Sequence, residues 1–243
     1  MEPQLYLHDM NKNYLKDQIS QFVDLFILKL KPVFENIDKE AEEHGNSFFN
    51  NALGHSHPEA IDPSDLAEEA MDRSFKHWEF LNHGRYVLIA SWHVALYEAF
   101  EQQLRSYLYR ELSHDFNLTI NHVFSKFDDL KKILILYQID LASLKGLKQI
   151  DHLRLLCNVI KHGQGASAND LRKKRPNLIK THDDIELLDL YESSLFDEVL
   201  EISEKTLVEF GNAIKAFWDS FPERSFCKEH AKLLKLLSKN RKR

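Results

Sequence analysis

Apolar residues recur at helical spacing along most of this chain. Ile19, Phe22, Phe26, Leu30 and Phe34 share one stripe, which predicts a long helix from about Asn13 to Glu43, kinked at Pro32. Asp62-Pro63-Ser64-Asp65 then has the chemistry of a helix start. Asp62 caps, Pro63 suits the first helical position, and Asp65 favours the positive end of the dipole. That helix is expected to reach about Leu81 and to kink or end at Asn82-His83-Gly84. From Tyr86 to Leu112 the stripe Ile89, Trp92, Leu96, Phe100, Leu104 and Tyr107 predicts a strong helix, with Glu101 and Arg105 paired one turn apart on its other side. Further helices are expected from about Ile120 to Tyr137, from about Leu144 or Lys148 to His162, and from about Ser194 to Phe221, with a short one in the tail after Arg224.

The segments between these helices carry turn chemistry. Phe48 to Asp62 contains Gly54, Pro58 and several Asn and His residues and reads as a loop. Ser167-Ala-Asn-Asp170 has the spacing of a cap for a short helix that must stop before Pro176. The apolar runs on either side of His182-Asp183-Asp184 fit a small hairpin. The pattern predicts an all-α fold: an antiparallel helical bundle with a short irregular or hairpin excursion before the last long helix. It divides into an N-terminal helix and acidic loop (residues 1–62), the bundle (63–222) and a basic extension (223–243).

Composition narrows the class. Only 7 Gly and 6 Pro punctuate 243 residues, which favours long helices over many strands. Cys157 and Cys227 have neither metal nor disulfide spacing, as suits a reducing cytosol. No basic-then-apolar leader and no apolar run near ~20 residues is evident, so a soluble, cytoplasmic protein without membrane contact is expected. The net charge of −6 argues against a general nucleic-acid coat. Charge is unevenly spread, however. Glu35 to Asp72 is acidic with Lys39 its only cation, whereas Arg172-Lys173-Lys174-Arg175 and the terminal Lys239 to Arg243 run are basic.

The candidate chemistry lies in Ile150-Asp-His-Leu-Arg154-Leu-Leu-Cys-Asn158-Val-Ile-Lys161-His162-Gly163. Gly163 stands where a left-handed residue would end a helix. Arg154, Asn158, Lys161 and His162 fall within an arc of roughly 80–100°, while Leu153, Leu156, Val159 and Ile160 can face a core. A helix whose last turns carry Arg, Asn, Lys and His on one stripe offers that stripe to something outside the core.

With Tyr97-Glu98-Ala-Phe100-Glu101 on a preceding long helix and a final helix after a loop, the order over about Ser64 to Phe221 resembles the HEPN superfamily, particularly its bacterial toxin and defence branches. The family motif is an Arg, usually followed by a polar residue such as Asn, then a His after four to six positions, brought together by dimerisation. Asn158 matches the polar position and His162 the histidine. Cys157 stands where the family has Arg, and the nearest arginine, Arg154, lies one turn earlier.

The resemblance implies an RNA-binding homodimer that cleaves RNA without a metal, countered by a neutralising protein partner. Such cleavage needs a base for the 2′-hydroxyl, an acid for the leaving oxygen and positive charge for the phosphorane. His162 would be base or acid, Arg154 or Lys161 the charge, and Asn158 the orienting group, with Arg172, Lys173, Lys174 and Arg175 holding the RNA backbone. Arg154 and His162 are ~12 Å apart along one helix, so a shared phosphate requires a two-fold dimer; without one, Arg154 is a structural partner of Asp151. The alternative is a non-catalytic HEPN-like module that dimerises or binds a partner. His55-Ser-His57 with Glu59 or Asp62 reads as a plain loop, and His77, His83 and His93 as core-rim residues. No phosphate-cradling glycine loop, nucleophile elbow or zinc spacing occurs, so neither cofactor nor metal is expected.

Overall fold

The computed structural model describes residues 2–55, 62–118, 127–191 and 193–240. After a short strand β1 (Gln4–Tyr6), helix α1 (Asp9–Leu25) is capped by the His8 ring, which accepts from the Met10 N–H. The single long helix expected here does not pass Pro32. A π-helical turn (Phe26–Leu30) and a 3-10 turn (Lys31–Phe34) replace it, because proline has no N–H to donate and its ring crowds the carbonyl four residues back.

Helix α2 (Ile37–His55) continues through much of the segment expected to be a loop. Tertiary packing overrides the weak helix preference of its Asn and Gly residues. It lies antiparallel along the first half of α3 (Pro63–Asp115), and the two backbones meet at Gly45. A Cβ there would sit 2.1 Å from Ser74 Oγ and 2.5 Å from the Ala70 carbonyl. The Ser74 hydroxyl donates to the Ala41 carbonyl at 2.9 Å across the same seam.

The expected break at Asn82-His83-Gly84 is absent: α3 runs uninterrupted for 53 residues. Asn82 Nδ2 donates back to the Trp78 carbonyl at 3.0 Å, and a glycine within a helix costs only about 1 kcal/mol, which packing on either side can offset. The start of α3 is as the sequence indicates, with Asp62 Oδ1 accepting the Ser64 N–H at 2.8 Å. Its second half buries Ile89, Leu96, Phe100, Leu104 and Tyr107, and Glu101 pairs with Arg105 at 2.6 Å.

Helix α4 (Phe127–Leu136) is followed by α5 (Leu147–His162), which begins after Gly146 at φ +78° and ends at Gly163 at φ +65°. Residues 120–126 of the helix expected from Ile120 lie outside the described residues. Helix α6 (Ala166–Lys174) starts one residue before Ser167, so that serine does not cap it. Strands β2 (Thr181–His182) and β3 (Ile185–Glu186) form the expected hairpin, turning on Asp183 and Asp184, both at positive φ. Then comes α7 (Leu187–Tyr191).

The last long helix, α8 (Glu204–Ser220), begins ten residues later than expected, at a reciprocal Ser203–Thr206 cap. The intervening chain is tied to the end of α5 instead: the Ser194 hydroxyl reaches the Val159 and Ile160 carbonyls at 2.8 and 2.9 Å. Finally β4 (Arg224–Phe226) pairs antiparallel with β1, placing Leu5 opposite Ser225, and α9 (His230–Asn240) follows.

The result is an all-α helical bundle with two small two-stranded ribbons. Its centre is aromatic: Phe100, Phe217, Trp218 and Phe221 are fully buried and meet at ring distances of 5.1 to 6.1 Å. Leu5, Ile19, Leu233 and Leu237, from the two ends of the chain, belong to the same core. Among the described residues no helix is long and apolar enough to cross a membrane.

Candidate functional site

The last turns of α5 divide as their spacing requires. Leu153, Leu156, Val159 and Ile160 are buried, Arg154 and Asn158 are half-buried, and Lys161 and His162 are exposed. The polar stripe therefore exists. What differs from an open cationic edge is how its members are occupied.

Lys161 Nζ meets Glu98 of α3 at 2.5 Å, with both side chains substantially exposed, so this pair contributes at most about 1 kcal/mol. Asn158 Nδ2 donates to Ser167 Oγ at 3.2 Å, bridging α5 to α6. Arg154 Nε lies 3.5 Å from Asp151, whose carboxylate is held more closely by Lys131 at 2.9 Å. His162 alone among the four has no hydrogen bond or ion pair within the described residues.

The basic run after α5 is split in the same way. Arg172 is enclosed by Glu186 and Asp189, each at 2.5 Å, and by Gln164 and Asn169 at 3.1 Å, clamping α6 to the hairpin and α7. Arg175 makes two bonds to Glu209 of α8 at 2.7 and 3.1 Å. Only Lys173 and Lys174 point outward with free charge among the described residues.

Cys157 is a core residue with 1% exposure. Its Sγ donates to the His93 carbonyl at 3.5 Å, and burial pushes the thiol well above its usual range. His93, expected at the rim, is entirely enclosed. Its Nδ1–H donates to the Ile89 carbonyl at 2.8 Å, leaving Nε2 as an acceptor 3.0 Å from the Thr206 hydroxyl.

Concave surface lies elsewhere. A groove of about 580 Å³ between α1 and α3, a cleft of about 680 Å³ beside the β2–β3 hairpin, and a shallow groove of about 670 Å³ on the α2–α3 pair include none of Arg154, Asn158, Lys161 or His162. The third groove is the feature that motif reading missed. Met71, Phe75 and Trp78 line it at 76%, 56% and 39% exposure. Their i, i+4, i+7 spacing inside an acidic stretch is visible in the sequence and reads there as a stripe awaiting a core.

Among the described residues no group of three or more His, Cys, Asp or Glu side chains gathers as a metal site. Of the His55-Ser-His57 segment, residues 56 and 57 lie outside the described residues, as does Glu59. No protein-family model, curated protein or solved structure matches the chain.

Proposed function

We propose that this chain is a non-catalytic helical module of HEPN type that acts in the cytosol by binding a partner protein. The observation that carries this reading is the burial of Cys157. The position that would hold the nuclease's arginine belongs to the core, so it presents no cation to a phosphate. The remaining cations support it, since Arg154 and Lys161 each have a carboxylate beside them, Asp151 and Glu98. Two buried thiols without a disulfide suit a reducing compartment.

A second reading, RNA cleavage across a homodimer, is favoured by one observation: His162 is exposed at a helix C-terminus and unengaged among the described residues. The two readings separate in one assay. Purified full chain and His162→Ala are incubated with tRNA and with mixed cellular RNA in chelator. The expected result is intact RNA with both proteins. Cleavage by the wild type that disappears in His162→Ala would overturn the non-catalytic reading.

A further inference from the structure

We propose that the shallow groove on the α2–α3 pair receives a cationic amphipathic helix of the partner protein. This rests on reading the chain as a partner-binding module, and it assigns the surface and the chemistry of what binds.

The groove combines two features that a solvated helix face lacks. Its apolar floor is continuous, with the Phe75 and Trp78 rings stacked at 6.1 Å and Met71 one turn before them. The indole N–H of Trp78 donates to Asp38 at 2.8 Å, which ties the ring to α2 while the residue stays 39% exposed. A rim of carboxylates surrounds this floor: Asp38 and Glu42 from α2, Glu68 and Asp72 from α3. Asp72 is partly neutralised by Lys76 at 2.7 Å, while Glu42 and Glu68 are exposed and unpaired among the described residues.

Charge decides between occupants. From Glu35 to Phe80 there are twelve Asp and Glu against three Lys and Arg, a net of −9. Nine of those acids and all three cations lie on α2 and the first part of α3, a net of −6, so much of the negative charge is carried by this pair of helices. A second copy laid groove to groove would set carboxylates against carboxylates, which opposes an isologous contact. An anionic lipid surface would be repelled for the same reason. A helix with large apolar residues at i, i+4 and i+7 flanked by Lys or Arg satisfies both floor and rim, and two antiparallel helices leave a trough of the right form for a third.

The test uses the full chain and three synthetic peptides of about 14 residues. One has Leu on one helical face and Lys on the other; the second keeps the Leu face and replaces Lys by Glu; the third keeps Lys and replaces Leu by Ser. Binding is followed by calorimetry and by Trp78 emission, with Trp78→Phe identifying the signal. The Leu/Lys peptide is expected to bind at least about tenfold more tightly than either control. Phe75→Ser is expected to weaken it about tenfold, and the pair Glu42→Lys, Glu68→Lys to shift preference toward the Leu/Glu peptide.

Equal binding of the Leu/Glu peptide, equal binding of the Ser/Lys peptide, or no effect of Phe75→Ser would each overturn the assignment. So would a wild-type dimer in sedimentation that Phe75→Ser converts to monomer, because the groove would then belong to a second copy. Phe75 is exposed, so the variant should fold; the charge-reversed pair decides the matter if it does not. Failure here with RNA left intact removes this surface only, whereas His162-dependent cleavage removes the non-catalytic reading whatever the peptides do.

Discussion

Cys157→Arg is expected to lose the native state rather than gain a nuclease. On the HEPN-type reading proposed above, the substitution supplies the motif's arginine, so its outcome separates sequence likeness from structural placement. The side chain at 157 is 1% exposed and its sulfur touches the His93 carbonyl at 3.5 Å. A guanidinium there leaves water, and the nearby carboxylate of Glu98 is already paired with Lys161, so the penalty is several kcal/mol. Its extra volume adds roughly 1–3 kcal/mol of overpacking. Lys161, close enough to influence the thiol, would add like-charge repulsion. Against a total stability of about 5–15 kcal/mol, a loss near 5 kcal/mol lowers the melting temperature by roughly 10–20 °C or abolishes the transition. Cys157→Ala, which leaves only a small cavity, should cost about 1 kcal/mol. Thermal denaturation followed by circular dichroism checks both. An Arg variant that melts like the wild type would place position 157 outside the core, and one that also cleaves RNA would reinstate the enzyme.

The same residue marks the boundary between what could be read from the chain and what could not. Periodicity on α5 correctly assigned Leu153, Leu156, Val159 and Ile160 to the core and Arg154, Asn158, Lys161 and His162 to the other side, because one helix turn is a local property. The Asp62-Pro63 cap, the end at Gly163 and the Asp183-Asp184 turn were legible for the same reason. Partners from distant segments were not. Nothing near Asn158 indicates that Ser167 would leave its expected capping role to accept from it, and nothing near Arg175 indicates Glu209. The pairing of β1 with β4 joins residues more than two hundred positions apart and rests on three residues each, too short for any alternation to register. Helix breaks were legible only in part. The kink expected at Pro32 falls where π-helical and 3-10 turns follow α1, whereas Gly84 carries only a modest propensity cost that the packing of α3 overcomes.

Acidification should destabilise the fold through His93, and most of the loss should vanish when that histidine is replaced. The ring lies between α3, α5 and α8, with the Phe210 ring edge-on at 6.0 Å, the Cys157 thiol donating to the His93 backbone carbonyl, and Thr206 beside the ring's Nε2. Burial lowers its pKa from 6.5 to about 4, the bond to the Ile89 carbonyl only partly opposing this. A histidine depressed in the folded state is held neutral there, while the unfolded chain protonates near pH 6.5. Stability from this group is therefore complete above about pH 6.5 and declines as pH falls toward 4, where the folded ring finally titrates. The gap corresponds to a loss on the order of 3 kcal/mol across that window. His93→Gln keeps a hydrogen-bonding side chain of similar reach without a titrating ring. Its denaturant midpoint should start lower than the wild type at neutral pH and fall less steeply on acidification, so the two curves converge near pH ~4. Contributions from other histidines and from carboxylates cancel in the difference between the two proteins. Parallel curves for wild type and His93→Gln, or a wild type that gains stability between those pH values, would show that the ring is not enclosed as a neutral group and that the packing of α3, α5 and α8 around it is wrong.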